Sequence, residues 1–409
     1  MLRSMFSAIS GLRGHQVMMD VIGNNIANVN TVGFKSGRVN FQDILSQTFR
    51  GASAPNGGLG SVNPAQVGLG MTVAGIDVLH TQGNLQSTGR QTDMAIQGDG
   101  FFVLSDGSRN FFTRDGAFDI SLDGTLVNPA IGLKVQGWQA DSTGLIDTTT
   151  ATTSIIIPLG QRTTALATST ADIHGNLDAS SLVGGTASTT INVFDTLGNR
   201  HSVKVTFTKT AANTWDWAAS TDPTDVGTTT ASTGTLDFTS GGVWSAATGS
   251  PIVVAFTNGA TTPATFPVDF TQMTQYSGAS AVSGITNGFT SGSLVTFTIG
   301  SGGDITGVYT NGQTQPLGQI ALASFLNPGG LSRQGQNLFG VSSASGDAAI
   351  GQPGQGGRGS VTTGSLEMSN VDLATQFTGM ITAERGFQAN GRVITTSDEM
   401  LQELVNLKR

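Results

Sequence analysis

The sequence predicts a mixed α and β fold. N- and C-terminal α-helices form a coiled-coil-like inner layer, and two mainly antiparallel β-domains follow, the outer one inserted into the inner one. Three observations predict it. Met5, Leu12, Met19 and Ile26 recur every seven residues near the start, and Leu373, Met380, Phe387, Ile394 and Leu401 do so near the end. Glu367, Glu384, Glu399 and Glu403 are the only glutamates, and every other acid is Asp. Glu favours helix whereas Asp favours turns and caps, so this sorting marks a helical tail on a β-rich body. The long middle of the 409-residue chain is rich in Gly, Ser and Thr, with alternating apolar residues. That alternation is the signature of strands.

The first helix is expected over residues 2–29, stopped by Asn28, Asn30 and Gly33. Its all-apolar column has a degraded partner in Leu2, Ile9, Gln16 and Gly23. The tail column is likewise accompanied by Phe377, Glu384, Gly391, Asp398 and Val405. Alternating steps of three and four make both segments coiled-coil-like. Gly11, Gly14 and Gly23 each cost the first helix up to about 1 kcal/mol relative to Ala, so packing must hold it. An apolar stripe at helical spacing is ordinarily an intramolecular core. Here the stripes lie at the chain ends behind Gly-rich or irregular joints, and one column of each pair carries polar residues or Gly. Both details favour contact between copies. The expected assembly interface is Met5, Ile9, Leu12, Met19, Ile26, Leu373, Phe377, Met380, Phe387, Ile394 and Leu401.

Residues 31–70 read as an irregular connector, with a loop at Asn56-Gly57-Gly58-Leu59-Gly60 and with Pro55 and Pro64 opposing regular structure. Strands begin at 71. Met94 and Ile96, then Gln97-Gly98-Asp99-Gly100, then Phe101 to Leu104 read as strand, tight turn, strand. Phe118, Ile120 and Leu122 before Asp123-Gly124 and Leu126 give a hairpin. Ile191 and Val193 pair with Val203, Val205 and Phe207 across Asp195–Asn199. Leu294 to Ile299 form a further strand, and Ile320, Leu322 and Phe325 another before Asn327-Pro328. Ser369, with Asp372 three residues on, caps the tail helix. The domain plan is 1–30 with 365–409 as a helical polymerisation domain, 31–70 as connector, 71–160 with 316–364 as an inner β-domain, and 161–315 as the inserted outer β-domain.

Composition excludes several functions. Charged residues make up 11% and the net charge is −8, with no Lys or Arg between Lys209 and Arg333. Such a chain is not expected to bind nucleic acid or an anionic membrane. With no cysteine, thiolate zinc sites and thiol nucleophiles are ruled out. No run of about 18 apolar residues is present, so no membrane insertion is expected. Met1 to Phe6 lack the pattern of a secretory signal, so export would need another route. His15, His80, His174 and His201 lie far apart without metal-ligand spacing and read as surface or satisfied polar groups. Asp99, Asp106, Asp115 and Asp123 read as turn formers. Gly354-Gln355-Gly356-Gly357-Arg358-Gly359 matches G-x-G-x-x-G but lacks the flanking strand and helix of a nucleotide site. Gly354, Gly356, Gly357 and Gly359 are expected to be a flexible hinge. No catalytic, cofactor or metal residue is expected, and no enzyme activity.

The run Asn24-Asn25-Ile26-Ala27-Asn28-Val29-Asn30-Thr31-Val32-Gly33-Phe34-Lys35 resembles the signature of flagellar rod and hook proteins, its motif residues being Asn24, Asn25, Ala27, Asn28, Gly33, Phe34 and Lys35. Asp93 to Phe102 and Phe112 to Phe118 are similar to the first β-domain of that family, and Gly364 to Leu373 and Glu384 to Asn390 to its tail. Rod members carry little or no outer domain. The large insertion here, with Ile191 to Asn199, resembles the hook members. The resemblance implies a structural subunit that polymerises with itself into a short, curved, hollow tube, a universal joint between rod and filament. It implies an extracellular place in the flagellum and export by the flagellar type III apparatus. Rod, hook-cap and hook–filament junction proteins would be its partners. A distal rod protein is the alternative within the family. A Thr-rich surface adhesin would not explain paired terminal helices, and a glycosidase needs a carboxylate pair that the sequence does not show.

Overall fold

The computed structural model describes residues 2–407 except 53, 55–60, 62, 142–143, 161, 164, 222–227 and 231. Among the described residues, two α-helices stand at the ends of a chain otherwise built of strands and turns. Two compact units emerge. The first holds residues 1–157, 298–306 and 315–409, and the second holds 158–297 and 307–314.

In the first unit, α1 spans Leu2–Ala27 and α2 spans Leu373–Asn406. At 1.5 Å per residue α2 is roughly 50 Å long. Its cap is Asp372 and not Ser369: the carboxylate accepts from the Ala374 amide at 3.0 Å and from the Thr375 hydroxyl at 2.7 Å. A carboxylate satisfies free helix-end amides and also the positive end of the helix dipole. The Ser369 hydroxyl serves the preceding turn, accepting from Val371 N.

The expected irregular connector is largely a ribbon. Strand β1 (Gly37–Asp43) pairs antiparallel with β4 (Met71–Val78), and between them β2 (Ser46–Arg50) pairs with β3 (Ala65–Gly68). The alternation of Val39 and Phe41 in β1 was obscured by the Gly and Pro residues between β2 and β3, whereas β4 lies where strands were expected. The predicted loop at 56–60, with Pro55, lies outside the described residues.

The β-core of the unit is an antiparallel sheet in which strand 101–105 lies between 110–113 and 134–139. Phe101, Val103, Phe112, Ala323, Leu331 and Phe339 fill one side of it. The hairpin expected from Met94 to Leu104 does not form. Met94–Gln97 pairs with Ser360–Thr363, while 101–105 joins the sheet. Gly98 and Gly100, at φ +106° and +129°, redirect the chain between them. The hairpin at Asp123-Gly124 does form, with Leu126 opposite Ile120.

Residues 354–359, expected to flex, form a closed turn. Gly354 N donates to Gly359 O at 2.9 Å, Gly359 N to Asp99 O at 2.6 Å, and Arg358 Nε to Gln352 O at 3.0 Å. Gly354, Gly356 and Gly357 adopt left-handed φ, and a Cβ on Gly359 would stand 2.3 Å from Gln97 O. Backbone conformation and close approach therefore require these glycines, and a hinge here would break the bonds that close the turn.

In the second unit, strands 186–194, 200–211, 214–221, 233–238 and 244–247 form a five-stranded sheet, with Ile191 opposite Val203. Strand 171–176 runs antiparallel to 281–286. Trp215, Trp217, Phe207, Phe266 and Phe270 are fully buried in its core. The turn after Val193 is held by the Asp195 carboxylate, which accepts from the amides of Leu197 and Asn199 and faces His201 Nε2 at 3.2 Å.

Candidate assembly face and charged latch

The two helices pack antiparallel in one constant register. Ser4 Oγ lies 3.5 Å from Ser397 Oγ, and Asn25 Nδ2 donates to Gln376 Oε1 at 3.0 Å. Between these ends Gly11 faces Asn390, Gly386 faces His15, and Gly379 faces Ile22. Ala8 and Ala383 are both buried along this seam. The seam is thus built largely of small and polar residues, with Met18 and Ile22 packed over Gly379. A Cβ on Gly11 would come within 2.7 Å of Asn390 Nδ2, and one on Gly386 within 2.5 Å of His15 Nε2. Missing side chains let the backbones approach closely. This explains glycines that otherwise weaken a helix.

The seven-residue columns do not form this seam. Met5, Leu12, Met19 and Ile26 follow the seam positions Ser4, Gly11, Met18 and Asn25 by one residue. Met380, Phe387 and Ile394 likewise follow Gly379, Gly386 and Val393. One residue is a turn of 100° about a right-handed helix. In an antiparallel pair that rotation carries both columns to the same side. The structure therefore gathers the eleven predicted residues into one face flanking the seam instead of burying them against each other. Ile9, Leu373, Phe377 and Phe387 are exposed, Phe377 by 51%, and the other seven are half-buried. Glu384, Gly391 and Asp398 lie on the same face. Beyond the start of α1, Leu404 and Val405 of α2 are also exposed.

The opposite side of α1 carries the ribbon. A Cβ on Gly14 would meet Met71 and Phe41, Val21 touches Gly37, and Ser10 Oγ accepts from Met71 N at 3.1 Å. One helix thus has three distinct faces: seam, ribbon contact and apolar face.

The motif after α1 builds a latch. Asn25, 1% exposed, exchanges two hydrogen bonds with Gly37, donating to its carbonyl at 2.8 Å and accepting from its amide at 2.9 Å. It fixes where the ribbon leaves the helix. Asn28 Nδ2 closes the helix end on Asn24 O, and Thr31 Oγ1 donates to Asn28 Oδ1. Ala27 is exposed. Gly33 has φ +67°, and a Cβ there would stand 2.6 Å from Asp115 N. Its amide donates to Glu367 O at 2.7 Å. Phe34 is buried beneath the Arg333 guanidinium.

At the centre, Glu367 is fully buried. Lys35 Nζ lies 2.6 Å from its Oε1 and Arg114 Nη1 lies 3.1 Å from its Oε2, and the Gly83 amide donates to Oε1 at 2.8 Å. Lys35 also donates to Thr81 O and Arg114 to Gly98 O. Burial pulls the Lys35 ammonium below the ordinary lysine range, opposed by Glu367. Asn370 completes the knot, accepting from Ser36 N and donating to Leu79 O. These bonds tie the end of α1, the ribbon, the sheet and the chain entering α2. Lys35 stood out in the sequence. Arg114, Arg333, Glu367 and Asn370 were given no role there. The one signal was that Glu367 is the only glutamate outside α2.

His80 packs edge-on against Phe101 and Phe339 beside this cluster. Burial, and then the charges of Lys35, Arg114 and Arg333, push its pKa from 6.5 down to about 4. The unfolded chain therefore binds this proton first as pH falls, and stability declines between about pH 6.5 and 4. The contribution is at most about 3 kcal/mol at 1.36 kcal/mol per pH unit, and roughly half that once partial solvation is discounted. His80→Phe is expected to lose this share of the acid sensitivity. Urea midpoints measured at pH 7 and 4.5 check it, and an equal decline in both proteins would contradict it.

Among the described residues no group of His, Asp and Glu is placed to hold a metal ion, and no helix is long and apolar enough to cross a membrane.

Four family models match in order along the chain: Flagella basal body rod protein at 5–35, Flagellar hook protein FlgE/F/G D1 domain at 95–171, Flagellar basal body protein FlaE D2 domain at 163–289, and Flagellar basal body rod FlgEFG protein C-terminal at 362–407. The chain is 41% identical to the flagellar hook protein FlgE of Treponema pallidum, with 100% of both chains covered. It is 38% identical to that of Escherichia coli, covering 98% of this chain and 99% of the relative. It is 34% identical to the flagellar basal-body rod protein FlgG of Bacillus subtilis over the full length of both. The crystal structure of Helicobacter pylori flagellar hook protein FlgE2 matches with a TM-score of 0.56 at 15% identity, covering 69% of this chain and 100% of that one, a likeness of fold.

Proposed function

The chain belongs to the flagellar hook protein family, a structural subunit of the flagellum, and from that premise we propose that it polymerises through the apolar face of its terminal helix pair. The carrying observation is that all eleven columnar residues lie on one side of an antiparallel pair whose own seam is already filled by other residues. An exposed apolar face of this extent marks an interaction surface. Helices α1 and α2 would form a coiled-coil-like inner layer. Ser365–Glu367, expected within the helical domain 365–409, is a strand paired with Leu85–Ser87. The β-rich 161–315 region would be an outer domain inserted into the inner one.

In this reading many copies build a curved, hollow, flexible tube outside the cell, linking rod to filament as a universal joint. Subunits leave through the flagellar type III apparatus and meet rod, hook-cap and junction proteins. Bending needs outer surfaces that slide. A stretch with no Lys or Arg from 210 to 332 makes few fixed ion pairs, so many registers lie close in energy. The deletion suggested by the sequence, about 165–312, would remove residues 298–306, which belong to the first unit. Deleting about residues 167–288 instead, whose flanks Leu166 and Phe289 are hydrogen-bonded at 3.0 Å, is expected to leave tubes that differ in curvature or stiffness. Electron microscopy of the purified deletion protein checks this, and tubes of native shape and bending would contradict it. The rod reading rests on the full-length match to a rod protein, and straight tubes from the intact protein would favour it.

A further inference from the structure

The distal half of the ribbon is the least supported part of the first unit. Residues 41–50 are all exposed, including Ile44 at 55%, Leu45 at 61% and Phe49 at 62%, and Val67 across the ribbon is 51% exposed. The Arg3 guanidinium of α1 lies 5.9 Å from the Phe49 ring centroid but leaves that ring mostly exposed, and a two-stranded ribbon without an apolar layer against it is marginal in water. Four large apolar side chains on it make a surface that needs covering. From Ile44 to Leu69 Arg50 is the only charged residue. The helix-pair face is a match in kind: apolar columns interrupted by the acids Glu384 and Asp398 and by no base.

One copy cannot bring these two surfaces together. The ribbon is fixed to α1 along Ser10, Gly14 and Val21, one residue before the seam positions, while the apolar face follows them by one. The two lie on opposite sides of the helix pair. We infer that the distal ribbon of one copy, at Ile44, Leu45, Phe49 and Val67, docks on the apolar helix face of the next copy, with Arg50 meeting the acids of that face. This rests on the self-assembly reading and names the two surfaces that it joins. Such a contact is heterologous: each copy offers a free ribbon at one side and a free helix face at the other. Repetition produces an open array that grows without closing into a dimer.

Because the chain has no cysteine, disulfide trapping reads the contact directly. Full-length variants carrying one cysteine, Leu45→Cys or Val67→Cys in the ribbon and Ile9→Cys, Phe377→Cys or Phe387→Cys in the helices, are mixed pairwise with wild-type protein under polymerising conditions and oxidised. The expected result is a ribbon-to-helix dimer that accumulates at least about tenfold over ribbon-to-ribbon and helix-to-helix dimers. Assembled tubes whose cross-links run only helix-to-helix would overturn the docking while leaving self-assembly standing. Failure of the wild-type protein to assemble at all would overturn both.

Discussion

Glu367→Gln is expected to cost the first unit about 3–5 kcal/mol of stability although it changes the side chain by a single heavy atom. The wild-type carboxylate is fully buried and meets two buried cations, Lys35 at 2.6 Å and Arg114 at 3.1 Å. Taking one partner out of a buried ion cluster costs more than the cluster contributed, because the remaining charges keep their desolvation penalty. Here the glutamine keeps one acceptor oxygen but no charge, and its NH2 would face the other cation. Beyond that oxygen, Lys35 and Arg114 retain Thr81 O and Gly98 O among the bonds described. Lys35, already pulled below the ordinary lysine range, would release its proton more readily, which sets the lower end of the range. At roughly 2–4 °C per kcal/mol for a unit of this size, calorimetry should show that unit melting about 10 °C lower. The transition of the second unit, which contributes nothing to the cluster, should stay in place. An unchanged first transition would contradict the latch.

Phe387→Asp is expected to have the largest effect on assembly with almost none on the monomer. Phe387 is 40% exposed in the single chain and follows the seam position Gly386, so an aspartate there remains solvated until a neighbour arrives. Burying it then loses about 2 kcal/mol of apolar transfer and leaves a carboxylate to be desolvated. Together these raise the concentration needed for polymerisation by a hundredfold or more, at about 1.4 kcal/mol per factor of ten. Leu12→Asp, on the same face of α1, should block assembly alike, at a somewhat larger cost to the monomer because Leu12 is half-buried in the single chain. By contrast, Gly386→Val disturbs the seam through His15 and should destabilise the monomer itself.

How much of this was legible in the sequence depended on the range of the signal. The strands at 191–207 and the hairpin at Asp123-Gly124 were readable because alternation and turn chemistry are local. The terminal helices were readable from their periods, but not the way they pack. Seven-residue columns of Met, Leu, Ile and Phe suggested contact between copies, and nothing in them showed that the pair's own seam would run one residue earlier, through Ser4, Gly11, Met18 and Asn25. Periodicity gives a face and cannot say whether that face meets its own chain or another. Strand β4 begins where strands were expected, at Met71, but β1 to β3 were missed because the glycines and prolines from Gly51 to Pro64 made the whole of 31–70 read as irregular. The turn at 354–359 was mistaken for a hinge because a glycine held by left-handed φ reads like a flexible one. The latch was beyond local reading altogether: Lys35, Arg114, Arg333 and Glu367 are scattered through the chain, and only the fold brings them together.

The central claim is that the helix-pair face, and not the seam, is the surface that joins copies. Purified wild-type, Leu12→Asp and Phe387→Asp proteins should be compared by electron microscopy and sedimentation under identical polymerising conditions, with circular dichroism confirming equal monomer folding. Tubes from the wild-type protein and soluble, folded monomers from both variants are the predicted result. Tubes of normal yield and shape from either variant would contradict it.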